Sequence, residues 1–370
     1  MTFMKRFITL FIAVCLLLGA CGTTSKIPYQ TIPKISDPST EATTEATTEA
    51  TTEATEPPVL YRHPLTGQVL KEAYTGRPTA VVINNIKAAL PQFGISGADM
   101  LYEFETEGGI TRCLAIFTDL TNVGSIGPVR SARTYFNNIS ASYDIPLIHC
   151  GGSRTALAGM YDDTSKLQTW THIDQMSNSS YFFRDKDRRS QGYALEHTLF
   201  TTGEKLIEAL ATKKLNSVYE DGADYGLQFA EDLILSGEAA SKITVTFRGK
   251  KTTTMTYDSA SGLYKAAQYN RDHIDAGTGE TLSYRNVLVL QAKQWLKSDG
   301  KYSRSYYDLI GEGEGYFACG GQIVPIKWSR ASVTDRFVYT LADGTPLTLG
   351  VGNSYVGVIG TSGSAGVSYE

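Results

Sequence analysis

The sequence predicts a mixed α+β protein, in which an N-terminal mixed α/β domain with a partly parallel sheet precedes a mostly antiparallel β domain. Between residues 79 and 150, apolar runs typical of strands surround one helical segment. A strand, helix, strand order implies a right-handed crossover between parallel strands. After residue 226, short strand patterns follow one another with turn signals between them, which is typical of a small antiparallel sheet.

Length and charge limit the possible classes of protein. At 370 residues, the chain is long enough for two domains that each bury a core. The formal net charge of −4 provides no basic footprint, so we expect no nucleic-acid partner.

The N-terminus has the features of a secreted lipoprotein. A basic pair, Lys5 and Arg6, precedes an apolar run at 7–18 that is too short to span a membrane and typical of a signal peptide. The run ends in Leu-Gly-Ala-Cys at 18–21, which looks like a bacterial lipobox and implies cleavage after residue 20 and lipidation of Cys21. A plain secretory signal with an incidental cysteine is the alternative. We expect anchoring at the outer face of the bacterial cytoplasmic membrane.

Residues 21–58 are predicted to be a disordered tether. The motif EATT repeats from Glu41, and no large apolar side chain occurs between Ser36 and Pro58. Such a segment cannot bury enough apolar surface to offset the entropy lost on ordering.

The first domain is expected at 59–225. Its first strand, 79–84, ends at Asn84 and Asn85, and the next two form a hairpin around Gly108-Gly109. This turn would place Glu105 opposite Arg112, with Glu103 on the same face. The predicted elements are strands at 79–84, 100–106, 110–118 and 146–150, and helices at 129–142, 153–161 and 203–215.

The second domain is expected at 226–360, followed by a flexible tail at 361–370. Its predicted strands are 243–247, 253–257, 262–269, 286–295, 314–321, 323–328 and 337–341.

The candidate ligand site lies at the start of the helix predicted after Pro128. A helix N-terminus presents free N–H groups, and Arg130 and Arg133 would lie on one side of it, so an anion such as a phosphate or carboxylate would fit. Strand ends that the crossover should bring alongside complete the candidate set of Asn84, Asn85, Arg130, Arg133, His149 and Ser153. The alternative is an internal scaffold, in which both arginines pair with carboxylates such as Asp99 or Glu103.

A catalytic interpretation is weaker. Ser153, His149 and Asp99 could form a triad, but the GxSxG elbow is absent and Ser153 is equally suited to cap a helix. The candidate polar network comprises Asp99, Glu103, Glu105, Arg112, Glu196 and His197. We assign no catalytic residue, no metal ligand and no cofactor. Apart from the lipidated Cys21, the mature chain has Cys113, Cys150 and Cys319, which have no CxxC spacing. We expect buried free thiols at Cys113 and Cys150, which lie in apolar strand patterns, with one disulfide among the three cysteines as the alternative.

Three blocks of the chain resemble the YerB family of bacterial lipoproteins, which consists of two domains of unknown function, DUF3048 N-terminal and C-terminal. The blocks begin with RPTAVVINN at 77–85, IGPVRSARTYF at 126–136 and DHIDAGTGE at 272–280. The resemblance implies a lipid-anchored extracytoplasmic protein and supplies no catalytic residues.

These observations favour a non-enzymatic envelope protein that binds an anionic or saccharide ligand, an envelope polymer or a protein partner. The alternative is a cell-envelope hydrolase that uses His149, the arginines and a carboxylate.

Overall fold

The computed structural model describes residues 60–161, 171–219, 222–300 and 302–370. The predicted signal peptide, Cys21 and the tether lie outside these ranges. Residues Pro58–Glu370 form one compact unit. Within the described ranges, none of the helices has the length and apolar character that a membrane span requires.

Short strands are the most frequent secondary-structure elements of the described chain. In order they are β1 (Tyr61–Arg62), β2 (Val69–Leu70), β3 (Thr79–Asn85), β4 (Met100–Glu105), β5 (Thr111–Phe117), β6 (Ser125–Ile126), β7 (Leu147–His149), β8 (His172–Asp174), β9 (Phe183–Arg184), β10 (Leu199–Thr202), β11 (Gln228–Ala230), β12 (Glu238–Ala239) and β13 (Lys242–Thr246). They continue with β14 (Thr252–Asp258), β15 (Leu263–Gln268), β16 (Arg271–Asp272), β17 (Ser283–Tyr284), β18 (Asn286–Ala292), β19 (Gln294–Asp299), β20 (Tyr302–Tyr307), β21 (Gly311–Cys319), β22 (Gln322–Arg330), β23 (Val338–Leu341), β24 (Thr348–Gly350), β25 (Ser354–Gly360) and β26 (Gly366–Tyr369).

The described helices are fewer and short. The α-helices are α1 (Thr134–Ser142), α2 (Arg154–Tyr161), α3 (Lys186–Ser190) and α4 (Gly203–Thr212). The 3-10 turns are Lys87–Ala89, Ile95–Gly97, Glu107–Gly109, Ser179–Tyr181 and Leu195–His197.

An eleven-stranded sheet forms the centre of the fold. Its strand order is β12-β22-β21-β18-β25-β4-β5-β3-β7-β8, with β23 paired to β22. The pairs β3/β7, β7/β8, β4/β25 and β18/β25 are parallel, and the other pairs are antiparallel. The predicted mixed α+β class with a partly parallel sheet is therefore confirmed. The predicted crossover between consecutive parallel strands is wrong, because β5, the central-sheet strand that precedes α1, runs antiparallel to β3, whereas β7 runs parallel to β3.

The two expected domains contribute strands to this same sheet. Strand β25, from the C-terminal part, lies between β18 and β4 and pairs in parallel with both. The structure therefore joins 59–225 and 226–360 through backbone hydrogen bonds within one compact unit, and the boundary near residue 225 stays a prediction.

The central sheet is covered on both faces. Every residue of β3 and β5 is buried, which explains why their sequences read as nearly continuous apolar runs. On one face, Tyr102, Phe104 and Leu114 pack with Tyr135 and Phe136 of α1. On the other face, the core combines residues of β3, β4 and β5 with Ile243, Val245, Phe247, Met255 and Tyr264 from a second sheet.

This second sheet has the order β16-β15-β14-β13-β26, with β17 paired to β15. Strand β26 belongs to the segment 361–370, which the sequence analysis expected to be a flexible tail. Instead, Gly366–Tyr369 pairs antiparallel with β13, and Lys242 forms an ion pair of 2.7 Å with Glu370. The expectation failed because this strand obtains its hydrogen bonds from β13 and has little apolar alternation of its own.

The hairpin register predicted for β4 and β5 is wrong. Glu105 lies opposite Thr111, and Arg112 lies opposite Phe104. The connection is not a two-residue turn: Thr106 N–H donates to the Ile110 carbonyl at 2.7 Å, across the 3-10 turn Glu107–Gly109. A shift of one residue moves a side chain to the opposite sheet face. Arg112 therefore faces the α1 side, whereas Glu103 and Glu105 face the second sheet.

The predicted start of the helix is also wrong, because α1 begins at Thr134 rather than near Val129. The preceding residues are extended and their N–H groups bond to strands: Val129 N–H donates to Leu199 O at 2.7 Å, and Arg130 N–H to Val82 O at 2.8 Å. Tertiary pairing therefore overrides the local helical pattern. Arg130 and Arg133 do not share a helical face.

A buried polar network connects the two sheets at Glu103, which is 2% exposed. Lys251 forms an ion pair with its carboxylate, Tyr355 donates to it at 2.8 Å and Thr253 at 2.7 Å. Asn85 and Thr111 also donate to it. Burial acts to raise the pKa of Glu103, but Lys251, Thr111 and Thr253 outweigh it and the pKa lies below its ordinary value.

We expect Lys251→Met to destabilise the protein by about 3–5 kcal/mol, because it leaves the Glu103 carboxylate buried without its counter-ion. Adding Glu103→Gln to this variant should recover part of the loss. Urea unfolding of the parent, both single variants and the double variant measures the coupling. Strictly additive effects would contradict a direct interaction between the two side chains.

Candidate functional site

The candidate site lies where β3 and β7 end beside the extended segment 127–133. Asn84 N–H donates to Pro128 O at 2.8 Å, and Cys150 N–H donates to Arg130 O at 3.0 Å. These bonds place the ends of both strands against the segment 128–130, so the backbones of Asn84, Arg130 and His149 lie in one region.

A cavity of about 410 Å³ opens at this region. Its walls are mostly apolar, and its charged residues are two arginines and one glutamate. The lining residues are Val129, Arg130, Cys150, Arg184, Ala194, Leu195, Glu196 and Leu199. The cavity can therefore accept a group that is partly apolar and carries negative charge.

Polar contacts connect this cavity to the end of β3. The Asn84 amide lies 3.0 Å from Nδ1 of His197, and because the amide N–H donates, the imidazole proton is on Nε2. The Glu196 carboxylate lies between two groups: its Oε1 is 3.6 Å from Nε2 of His197, and its Oε2 is 3.6 Å from Nη2 of Arg130. The Glu196 side chain is 53% exposed, so its attraction for Arg130 is screened by water.

Arg133 has a different environment from Arg130. Its side chain is 4% exposed, and two of its nitrogens donate to the two carboxylate oxygens of Glu107. Arg304 of β20 donates to the same carboxylate. Burial acts to raise the pKa of Glu107, but the bonds and charge of Arg133 dominate and lower it to about 2. The structure assigns Arg133 to an internal ion pair, with Glu107 as the partner instead of Asp99 or Glu103.

Arg112 is buried next to these groups. It is 4% exposed, lies opposite Asn84 in the β3–β5 register, and donates through Nη1 to Ser131 O at 2.7 Å. Burial, together with the nearby charges of Arg133 and Arg130, lowers the pKa of Arg112 to about 9.

His149 is fully buried and both of its ring nitrogens are engaged. Nδ1 lies 2.9 Å from Gly151 O, which can only accept, so Nδ1 carries the proton. Nε2 therefore accepts from Nδ1 of His172 at 3.1 Å. Burial lowers the pKa of His149 to about 4, against the opposing effect of Asp174. This imidazole has no free lone pair with which to activate a nucleophile.

The residues of the imagined triad do not meet. The Ser153 hydroxyl accepts from Ala156 N–H at 3.3 Å, as a cap of α2. Asp99 lies at the other end of β4, where it accepts from the N–H and hydroxyl of Thr118 at 2.7 Å each. Among the hydrogen bonds of the described residues, none joins Ser153 to His149. The geometry does not support the hydrolase alternative.

Asn85, Glu103 and Glu105 belong to the interface between the sheets rather than to the cavity. Asn85 contacts Glu103, Gln92 and Gln268, and Glu105 accepts from Gly249 N–H at 2.7 Å. Burial raises the pKa of Glu105.

Sequence reasoning missed Glu107, Arg184, Lys251 and Arg304. Of these, only Lys251 belongs to a local pattern that could have revealed it. Alternate residues of a strand face the same side, so Lys251 faces the same side as the buried Thr253 and Met255 of β14. Glu107 and Arg304 are 197 residues apart in the chain, and no local pattern predicts their contact.

The structure shows neither a disulfide nor a metal cluster in the parts of the chain that it describes. Cys113, Cys150 and Cys319 are free thiols. Across the described ranges, no three His, Cys, Asp or Glu side chains are arranged to hold a metal ion.

The buried neutral His149 should make the fold sensitive to acid. The unfolded imidazole titrates near 6.5, whereas the folded one titrates at about 4, so stability is full above the unfolded pKa and falls as pH drops toward 4. His149→Gln should therefore show a smaller loss of melting temperature between pH 7 and pH 5 than the parent. An identical loss in both proteins would show that His149 does not titrate in this way.

Comparisons with known proteins identify the family. Residues 65–216 match the N-terminal domain, and residues 243–356 the C-terminal domain, of the protein of unknown function DUF3048. YerB, a candidate lipoprotein of Bacillus subtilis (strain 168), is 27% identical over 320 residues, covering 82% of this chain and 88% of YerB. The crystal structure of Bacillus subtilis YerB superimposes with a TM-score of 0.70 at 26% identity, covering 83% of this chain and 99% of that one. The chain belongs to the YerB-like family of DUF3048 proteins.

Proposed function

We propose that this protein is a membrane-anchored, extracytoplasmic binding protein for an anionic ligand, which it holds in the cavity at Arg130 without transforming it. The observation that carries the proposal is the state of Arg130. Its Nε–H is buried without a hydrogen-bond partner, and its nearest carboxylate, Glu196, is 3.6 Å away and half-exposed.

An unpaired buried N–H costs about 1–3 kcal/mol, and a ligand oxygen would remove that cost. Arg184 adds a second positive charge to the same cavity, where its Nη1 donates to Leu195 O at 2.6 Å.

The contrast with Arg133 supports the assignment. Arg133 already has a bidentate carboxylate partner, which is the geometry that an anionic ligand would otherwise supply. Of the two arginines that the sequence singled out, Arg130 is therefore the binding residue and Arg133 is part of the scaffold.

The family relationship supports a lipoprotein, and the sequence around Cys21 supplies the anchor. Lipidation of Cys21 at the outer face of the cytoplasmic membrane would hold the compact unit on the segment 22–58. Each buried methylene of a lipid chain contributes about 0.8 kcal/mol to membrane binding.

Cys21→Ala should move the protein from the membrane fraction to the culture medium, because the lipid anchor is lost. Cys15→Ala is the matched control and should remain with membranes, since Cys15 lies within the removed signal peptide. Quantitative immunoblotting of both fractions measures the distribution. Retention of Cys21→Ala on salt-washed membranes would contradict the anchor.

Benzoate and phenyl phosphate are suitable probes for the cavity, because each joins an apolar ring to an anionic group. Both should raise the melting temperature of the parent. Arg130→Ala should abolish this rise while changing the free energy of unfolding by less than about 1 kcal/mol, since its partner Glu196 is half-exposed.

Arg133→Ala is the control for that experiment. It should cost about 3 kcal/mol because it breaks a buried ion pair, yet the folded variant should still respond to the probes. If neither probe stabilises the parent, or if Arg130→Ala responds like the parent, the proposed binding site is wrong.

A further inference from the structure

Arg112 is the least compensated buried charge in this region. Two other buried arginines, Arg188 and Arg330, each donate to three backbone carbonyls. Arg112 donates to one, and its Nε–H is buried without a partner. Within the described chain, no carboxylate lies within ion-pair distance of it. A buried arginine in this state destabilises the fold unless an anion compensates it.

The surrounding charges make the imbalance larger. Four positively charged side chains lie in this region: Arg112, Arg130, Arg133 and Arg304. The carboxylates that pair with members of this group are Glu107 and Glu196. Arg184 adds a further positive charge at the cavity, so positive charges outnumber negative charges in this region. Like charges so close together repel each other, and burial strengthens the repulsion.

Unsatisfied polar groups occur at the same place. Besides the Nε atoms of Arg112 and Arg130, the Arg304 Nε and the Tyr135 hydroxyl are buried without a partner. Tyr135 is close enough to Arg112 for each to affect the titration of the other. Several donors thus lack acceptors where positive charge is in excess.

We propose that the ligand bears a phosphate group, which binds between Arg130 and Arg112; this inference rests on the proposed function. A phosphate monoester carries close to two negative charges at neutral pH and has three acceptor oxygens. It would offset more of the excess positive charge than a carboxylate, which carries one negative charge. Arg130 lines the cavity, and Arg112 lies against the same segment, because it donates to the carbonyl of the next residue, Ser131.

The apolar walls imply the rest of the ligand. Val129, Leu195 and Leu199 offer surface to an apolar or ring-shaped group attached to the phosphate. The ligand class is therefore an organic phosphate, and free inorganic phosphate should bind more weakly than phenyl phosphate.

Phenyl phosphate and benzoate test this inference, since they share a ring and differ in the anionic group. Calorimetric titration at constant ionic strength should show tighter binding of phenyl phosphate to the parent. Arg112→Met should weaken phenyl phosphate by about tenfold or more, because a charged hydrogen bond is lost, and should affect benzoate less. Without ligand, this variant should be as stable as the parent or more stable, because an uncompensated buried charge has been removed.

Arg330→Met is the matched control, because it also replaces a buried arginine. It should lower the melting temperature by leaving three carbonyls without a donor, and it should leave the affinity for phenyl phosphate unchanged. Strong destabilisation by Arg112→Met, or undiminished phenyl phosphate binding to it, would overturn the role of Arg112. If the parent binds phenyl phosphate and benzoate with equal affinity, only the phosphate preference is overturned. If the parent binds neither probe, the proposed function is overturned as well.

Discussion

The buried carboxylate of Glu103 is the constraint on which the two-layer arrangement depends. A charge at this depth requires a counter-ion and hydrogen-bond donors, and these come from four other strands or their flanks: Lys251 and Thr253 at β14, Tyr355 of β25, Asn85 of β3 and Thr111 of β5. Because the donors are distant in sequence, the network is satisfied only when the second sheet packs against the central one. Buried polar contacts of this kind favour one register over its alternatives.

The same strands that bury Glu103 also position the candidate site at their ends. Strand β3 carries Asn85 into the polar network and Asn84 toward His197 and the cavity. Adjacent residues of a strand face opposite sides, so one dipeptide serves both purposes. The one-residue difference in the β4–β5 register has a similar consequence, because it places Arg112 on the side of Asn84 and Phe104 instead of beside Glu105.

The buried arginines differ in how completely the fold provides acceptors for them, and this difference is the basis of the proposed binding site. Arg133, Arg188 and Arg330 have their donors engaged by a bidentate carboxylate or by several carbonyls, and they hold elements together. Arg112 and Arg130 each retain a buried Nε–H without a partner. Arg330 also has an unpartnered nitrogen, Nη1, but its other nitrogens donate to three carbonyls, whereas Arg112 donates to one. The difference cannot be read from residue type, because it depends on which acceptors the folded chain brings within reach.

The sequence by itself determined the class of the fold and many of its longer elements, since period and turn signals are local properties. It also predicted a lipobox and proposed a candidate site, because Asn84, Arg130 and His149 lie at ends of predicted segments. Only the tertiary structure decided the hairpin register, the start of α1, the strand at 366–369 and the partners of each arginine. These depend on hydrogen bonds and ion pairs between residues far apart in the chain, such as Glu107 with Arg304, and such pairings are selected by the packing of the whole fold.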